Sequence, residues 1–229
     1  MTELPDMPAP IVVFDLDGTL IDTAPDLMDG LNHVLKQKTL APVVYNDMTF
    51  LVGQGARAMI EKAFALREHP LDPAEVPELM DVFVEHYLAG MPGDSRPFPG
   101  VIDALERLKA EGFKLAVCTN KMERLTLPLL KGLKLDSYFD AIAGGDTFDV
   151  RKPDPGHILK TIERANGNAA KAVMVGDSVN DIRAAQNAGV PAIAVPFGYT
   201  DVPVSELSPT IIIDHFDELT PALVQKLIA

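Results

Sequence analysis

Ile11-Val12-Val13-Phe14-Asp15-Leu16-Asp17-Gly18-Thr19 decides the fold: an unbroken apolar run that stops on two acids and a glycine. A strand with one wet face alternates apolar and polar residues. A run without alternation must be covered on both faces, as at the centre of a parallel sheet. The pattern recurs. Leu115-Ala116-Val117-Cys118 runs into Thr119 and Asn120, Ala141-Ile142-Ala143 into Gly144-Gly145-Asp146, and Ala172-Val173-Met174-Val175 into Gly176-Asp177; apolar runs at 192–195 and 211–213 follow. Helical spacing lies between them. Val101, Ile102, Leu105 and Leu108 precede Gly112; Ile158, Ile162 and Ala165 follow Asp154-Pro155; Ile182, Ala185 and Ala188 end at Gly189. Proline just inside a helix start and glycine just past its end are the expected punctuation. The alternation predicts an α/β fold with a doubly wound parallel sheet, which binds ligands beyond the carboxyl ends of its strands. Those ends are where the polar residues stand.

One stretch departs from this grammar. Residues 22–90 read as helices only: Leu27, Leu31, Val34 and Leu35 form one stripe and Met59, Ile60, Ala63 and Phe64 a second. A third opens at Asp72-Pro73-Ala74-Glu75, with the spacing of a capping box, and continues through Leu79, Val82, Phe83 and Tyr87. The Pro- and Gly-rich segment 90–100 reads as a linker, and its Gly93-Asp94-Ser95 carries no assigned chemistry. The expected organisation is a discontinuous core of residues 1–21 and 93–229 with an α-helical cap inserted at 22–92. Gly53-Gln54-Gly55-Ala56-Arg57-Ala58 fits a dinucleotide fingerprint, but no strand follows within the required unit, so it reads as a turn and helix start.

Composition narrows the functions. The chain has 229 residues and a formal charge of −13, which repels nucleic acid and anionic membranes. No apolar run approaches the about 18 residues of a spanning helix. Residues 1–10 carry Glu3 and Asp6 and no basic residue, unlike a secretory signal. A single cysteine, Cys118, excludes an internal disulfide and reads as core. Five scattered histidines, among them His33, His86 and His157, show no zinc-ligand spacing. The expectation is a cytoplasmic globular protein, monomer or homodimer.

The strand ends supply the chemistry. Asp15 and Asp17 repel each other unless a hard cation such as Mg²⁺ sits between them, with Mn²⁺ an open alternative. Asp177 offers a third oxygen ligand and Asp181, one helical turn later, supports it. Thr119 and Asn120 are neutral donors, and Lys152, on a stretch stiffened by two prolines in Lys152-Pro153-Asp154-Pro155, is a compact positive charge. A phosphate monoester is a dianion, which a carboxylate attacks only after that charge is neutralised. Asp15 then suits nucleophilic attack through an aspartyl-phosphate, and Asp17 suits proton transfer to the leaving oxygen and from water. Each feature alone has an ordinary structural explanation: Asp177 as a helix N-cap, Lys152 as a solvated surface residue.

In order and content, Asp15-Leu16-Asp17-Gly18-Thr19-Leu20, Thr119-Asn120, Lys152-Pro153-Asp154-Pro155 and Gly176-Asp177-Ser178-Val179-Asn180-Asp181 resemble the four motifs of the haloacid dehalogenase superfamily. The helical insertion is similar to that superfamily's first type of cap. Val52-Gly53-Gln54-Gly55-Ala56-Arg57, Gly144-Gly145-Asp146-Thr147 and Phe197-Gly198-Tyr199 are most similar to its phosphoglycolate phosphatases. The resemblance implies Asp15 as nucleophile and Asp17 as acid/base. It implies Mg²⁺ on Asp15, the Asp17 main-chain carbonyl and Asp177, and phosphate on Thr119, Asn120 and Lys152. Dehalogenases of the superfamily lack the acid at position 17, so the resemblance points to a small phosphorylated metabolite, 2-phosphoglycolate foremost, rather than a halide. Pyrophosphatase, sugar-phosphate phosphatase and phosphosugar mutase activities share the same motifs. In the cap, Gly53 backbone groups and Arg57 are candidates to meet a substrate carboxylate, although Arg57 reads equally as a solvated helix residue. A phospho-accepting receiver domain is shorter and carries its Asp on a later strand; a non-catalytic dinucleotide module rests on the Gly53 fingerprint alone.

Overall fold

A computed structural model describes residues 9–229; the leading segment with Glu3 and Asp6 lies outside the described residues. In chain order, β1 (Ala9–Phe14) and a two-residue β2 (Ile21–Asp22) precede α1 (Ala24–Gln37), α2 (Met48–Leu51), α3 (Ala56–Ala65) and α4 (Val76–Gly90). Then come β3 (Arg96–Pro97), α5 (Val101–Ala110), β4 (Lys114–Cys118), α6 (Glu123–Gly132), β5 (Ala141–Ala143) and α7 (Pro155–Arg164). The chain ends with β6 (Gly167–Gly176), α8 (Val179–Ala188), β7 (Ala192–Ala194), β8 (Ile211–Ile212) and α9 (Pro221–Leu227).

Six strands form one sheet in the order β5-β4-β1-β6-β7-β8, every pairing parallel. The apolar runs are unbroken because each side of the sheet has its own core. Val12 and Phe14 share one face with Leu115, Val117, Val173 and Val175, under Leu105 and Leu108 of α5. Ile11 and Val13 share the other with Ala116, Cys118 and Met174, under Ile158 of α7 and Ile182 of α8. Cys118 is fully buried, as expected of a core residue. The chain builds β4 and β5 to one side of β1, then returns to build β6 to β8 on the other. The rim beyond Phe14 is therefore a switch point, where diverging connections leave a crevice for a ligand.

Residues 23–90 hold helices and no strand. Leu31 and Leu35 of α1, Ile60 and Phe64 of α3, and Phe83 and Tyr87 of α4 gather in a third apolar cluster. Helix α4 starts three residues later than the capping-box spacing predicts. Asp72 to Glu75 close a turn instead, with the Glu75 N–H donating to the Asp72 carbonyl. Pro77 explains the shift: lacking an N–H and crowding the preceding turn, it is accommodated only at a helix start. The linker 90–100 is also more ordered than its composition suggests. Its β3 pairs antiparallel with β2, so the two crossings between sheet and helices run side by side. Gly93-Asp94-Ser95 is held there by Asp26 of α1, whose carboxylate accepts the Asp94 and Ser95 N–H groups, each at 2.8 Å. No helix among the described residues is long and apolar enough to cross a membrane.

Candidate active site

Asp15 ends β1 and Asp177 follows β6, its immediate neighbour, so the parallel register brings both carboxylates to one rim. The turn after Asp17 has to pass close to Asp177. Gly18 has φ +82°, and a Cβ there would stand 2.5 Å from Asp177 Oδ2, so only glycine fits. Asp177 is held by two donors, Thr19 Oγ1 to Oδ1 at 2.9 Å and the Tyr199 N–H to Oδ2 at 2.7 Å. It does not cap α8; Ser178 occupies that position. Asp181, in the first turn of α8, gives one oxygen to Lys152 Nζ (2.5 Å) and the other to Ser178 N–H (3.0 Å) and Oγ (2.6 Å). Oxygens of Asp15, Asp177 and Asp181 lie within 4.8 Å of one another, all buried.

Lys152 is no surface lysine. Its side chain is 1% exposed, and Nζ lies 2.8 Å from Asp15 Oδ1 as well as bonding Asp181. Burial works against its charge, but Asp15 and Asp181 more than compensate and hold its pKa above the ordinary lysine value. His157 seats the Lys152 loop: its Nδ1 accepts the Lys152 backbone N–H at 3.2 Å, leaving the proton on Nε2 for the Gly144 carbonyl at 3.1 Å. Burial, then the Lys152 charge, lowers the His157 pKa to about 4, so the ring is neutral.

Three carboxylates crowd together, and one ammonium pairs with two of them, Asp15 and Asp181. Burial pushes the Asp15 pKa up to about 7 with Asp181 adding repulsion, and burial likewise raises Asp177 well above its usual range. Asp15 Oδ1 is buried with no aligned hydrogen bond despite the nearby ammonium. A buried all-oxygen donor set with surplus negative charge is what a hard divalent cation satisfies. Mg²⁺ fits this cluster, where Asp15 and Asp177 could supply carboxylate ligands with Asp181 as their support.

Most of the remaining candidates line an adjoining cavity. Asp15, Asp17, Thr119, Asn120 and Gly53 all reach it. Asp17 turns away from the acidic cluster; its Oδ1 accepts Thr23 Oγ1 at 2.7 Å and Lys121 Nζ at 3.1 Å. Asn120 donates to the Lys152 carbonyl at 3.0 Å and, together with Asn180, to the Gly53 carbonyl at 3.3 and 3.1 Å. The glycine pair after β5 permits this loop its shape, since a Cβ on Gly145 would stand 2.4 Å from the Asn120 carbonyl oxygen. Arg57 is not brought to the site. Its side chain is 64% exposed on α3 and pairs with Glu61 one turn on, at 2.9 Å, because Ala56 and Met59 occupy the face toward the cavity.

Three residues escape sequence reasoning. Lys121 is buried against Asp17, Tyr199 reaches from the loop after β7 to Asp22 and the Ala24 N–H at the start of α1, and His157 seats Lys152. Lys121 stands beside Thr119-Asn120, and Tyr199 lies in Phe197-Gly198-Tyr199, so position relative to the motifs is the available signal. For His157, its place one turn after Lys152 is the only one.

Such a rim, with acids and a lysine gathered at the switch point of a doubly wound sheet beneath a helical insertion, defines an α/β enzyme whose acidic cluster could hold a divalent ion. The family model for haloacid dehalogenase-like hydrolases matches residues 12–195, and the chain belongs to that family. It is 58% identical over 221 residues to a phosphoglycolate phosphatase of Agrobacterium fabrum, covering 96% of this chain and 95% of the relative. To a phosphoglycolate phosphatase of Mesorhizobium japonicum it is 52% identical over 222 residues, covering 97% and 98%. The crystal structure of a predicted phosphoglycolate phosphatase from Haemophilus somnus superposes with a TM-score of 0.85 at 31% identity, covering 92% of this chain and 96% of that one.

Proposed function

We propose that the enzyme is a Mg²⁺-dependent phosphoric monoester hydrolase acting through an aspartyl-phosphate, with 2-phosphoglycolate, cleaved to glycolate and phosphate, as its substrate. The observation that carries this reading is the gathering of buried Asp15, Asp177 and Asp181 oxygens within 4.8 Å of one another beside Lys152, at the rim of the cavity that Asp17 also lines. Bound Mg²⁺ supplies charge neutralisation for the phosphoryl group and keeps Asp15 ionised. Lys152, Thr119 and Asn120 orient the phosphoryl oxygens. Asp15 attacks phosphorus while the ester oxygen departs with a proton from Asp17. Asp17 then takes a proton from the water that splits the aspartyl-phosphate, returning both acids to their starting states. Thr23 and Lys121 hold Asp17 Oδ1 at 2.7 and 3.1 Å, and Oδ2, with only a longer 3.4 Å contact to Lys121, is the oxygen better placed for this proton transfer.

In this reading residues 22–92 are a cap over a core of 1–21 and 93–229. The cap encloses the cavity through Val52, Gly53 and Met59, excludes bulk water and opens for product release. The single buried cysteine and the negative charge fit a cytoplasmic enzyme. A phosphate-release assay over small monoesters, with and without Mg²⁺, tests the assignment. Metal-dependent release fastest from 2-phosphoglycolate supports it, and no release from any small monoester with Mg²⁺ present would defeat it.

A further inference from the structure

Lys121 is a buried cation that the reaction just described does not need for bond breaking. Its side chain is 3% exposed, with Nζ 3.1 Å from Asp17 Oδ1, 3.0 Å from the Tyr87 hydroxyl and 4.5 Å above the Tyr87 ring. Burying an ammonium is costly, and Asp17 already has a hydrogen-bond donor in Thr23. The ammonium also faces the cavity, where it is the single cationic side chain among the described lining residues; Lys152 lies behind Asp15, outside that lining. Beyond Asp15, Asp17, Thr119 and Asn120 the walls are largely apolar: Leu27, Val52, Met59, Phe83 and Leu125. A single cation in a largely apolar wall favours an anion, and the longest of its three hydrogen bonds, 3.4 Å to Asp17 Oδ2, is the one an incoming carboxylate can replace.

From this we infer that Lys121, held by Tyr87 of α4, is the specificity-determining residue for a carboxylate at the end of the substrate remote from the phosphoryl group. The inference rests on the phosphatase reading. A carboxylate suits the position better than a second phosphate, because Lys121 brings one positive charge already shared with Asp17. The substrate class is thus a phosphorylated short hydroxy acid with one carboxylate close to the ester oxygen. Tyr87 is a positioning residue, and it makes the carboxylate site a joint product of a helix of the insertion and the β4 loop.

The test compares kcat/KM for 2-phosphoglycolate with that for ethyl phosphate, a similar ester with no charge at its far end, in the wild-type enzyme and in Lys121→Met. The wild type prefers the carboxylated ester, and in Lys121→Met the ratio of the two constants falls about 10- to 100-fold, mainly through KM for 2-phosphoglycolate. Lys121→Arg recovers part of the ratio. Tyr87→Phe lowers it by less and provides the readout should Lys121→Met fail to fold. If Lys121→Met slows both esters equally, the residue serves only Asp17 and the inference is overturned. A wild type that hydrolyses both esters equally well overturns it while leaving the phosphatase reading intact; a wild type that hydrolyses neither removes both.

Discussion

The Lys152 ammonium stands 2.8 Å from the Asp15 carboxylate, tying the loop before α7 to the end of β1. The same ammonium bonds Asp181, so one cation organises two acids that the chain delivers from separate strand–helix units. Replacing Lys152 with Met leaves the buried carboxylates facing one another. Phosphate release drops about 10²- to 10³-fold, as expected for loss of a preorganised charge. Urea unfolding of the metal-free variant reports a loss of about 3–5 kcal/mol, the usual cost of stripping one partner from a buried ion pair.

Metal binding must depend on pH. With its pKa raised from 3.8 to about 7, Asp15 in the metal-free folded state keeps a proton that the unfolded chain has released. Its effect is therefore a stability that falls as pH rises from about 4 to 7 and is flat above. A cation that displaces this proton binds more weakly below pH 7. Thermal unfolding with and without Mg²⁺ checks this: the metal-induced rise in Tm grows between pH 6 and 8, then levels. An equal rise at pH 6 and pH 8 would contradict it.

Two asparagines hold the insertion against the sheet. Asn120 and Asn180 both donate to the Gly53 carbonyl. Asn180→Ala removes one of these bonds, about 1 kcal/mol, and raises KM about fivefold while amide exchange in residues 52–55 speeds up. Unchanged exchange in that loop would show that the bond does not restrain it.

His157 gives the fold an acid limit. Because its pKa falls from 6.5 to about 4 on folding, the unfolded state binds the proton first. The neutral ring's contribution is complete above pH 6.5 and is lost as pH falls toward 4, on the order of 3 kcal/mol in all. His157→Asn is less stable at pH 7 and shows a flatter profile between pH 6.5 and 4, measured by denaturant midpoint.

The sheet was legible because burial on both faces leaves a simple mark, an apolar run with a polar stop. The residues at those stops, Asp15, Thr119 and Asp177, converge because parallel strands present all their carboxyl ends at one rim. What stayed hidden is what depends on side-chain direction. Lys121 reads as an ordinary polar residue until α4 brings Tyr87 over it, and Arg57 reads as a candidate until α3 turns it to solvent. Two-residue strands such as β2 and β3 carry no periodicity at all, so the paired crossings near Asp22 and Arg96 leave no pattern to find.

Asp15→Asn tests the central claim most directly, since it keeps the shape of the side chain while removing its charge and nucleophilicity. Phosphate release from 2-phosphoglycolate should fall at least about 10³-fold, with a metal-free Tm no lower than wild type and no further rise on adding Mg²⁺. A folded Asp15→Asn enzyme with wild-type turnover would contradict the account, because the attacking carboxylate would then lie elsewhere.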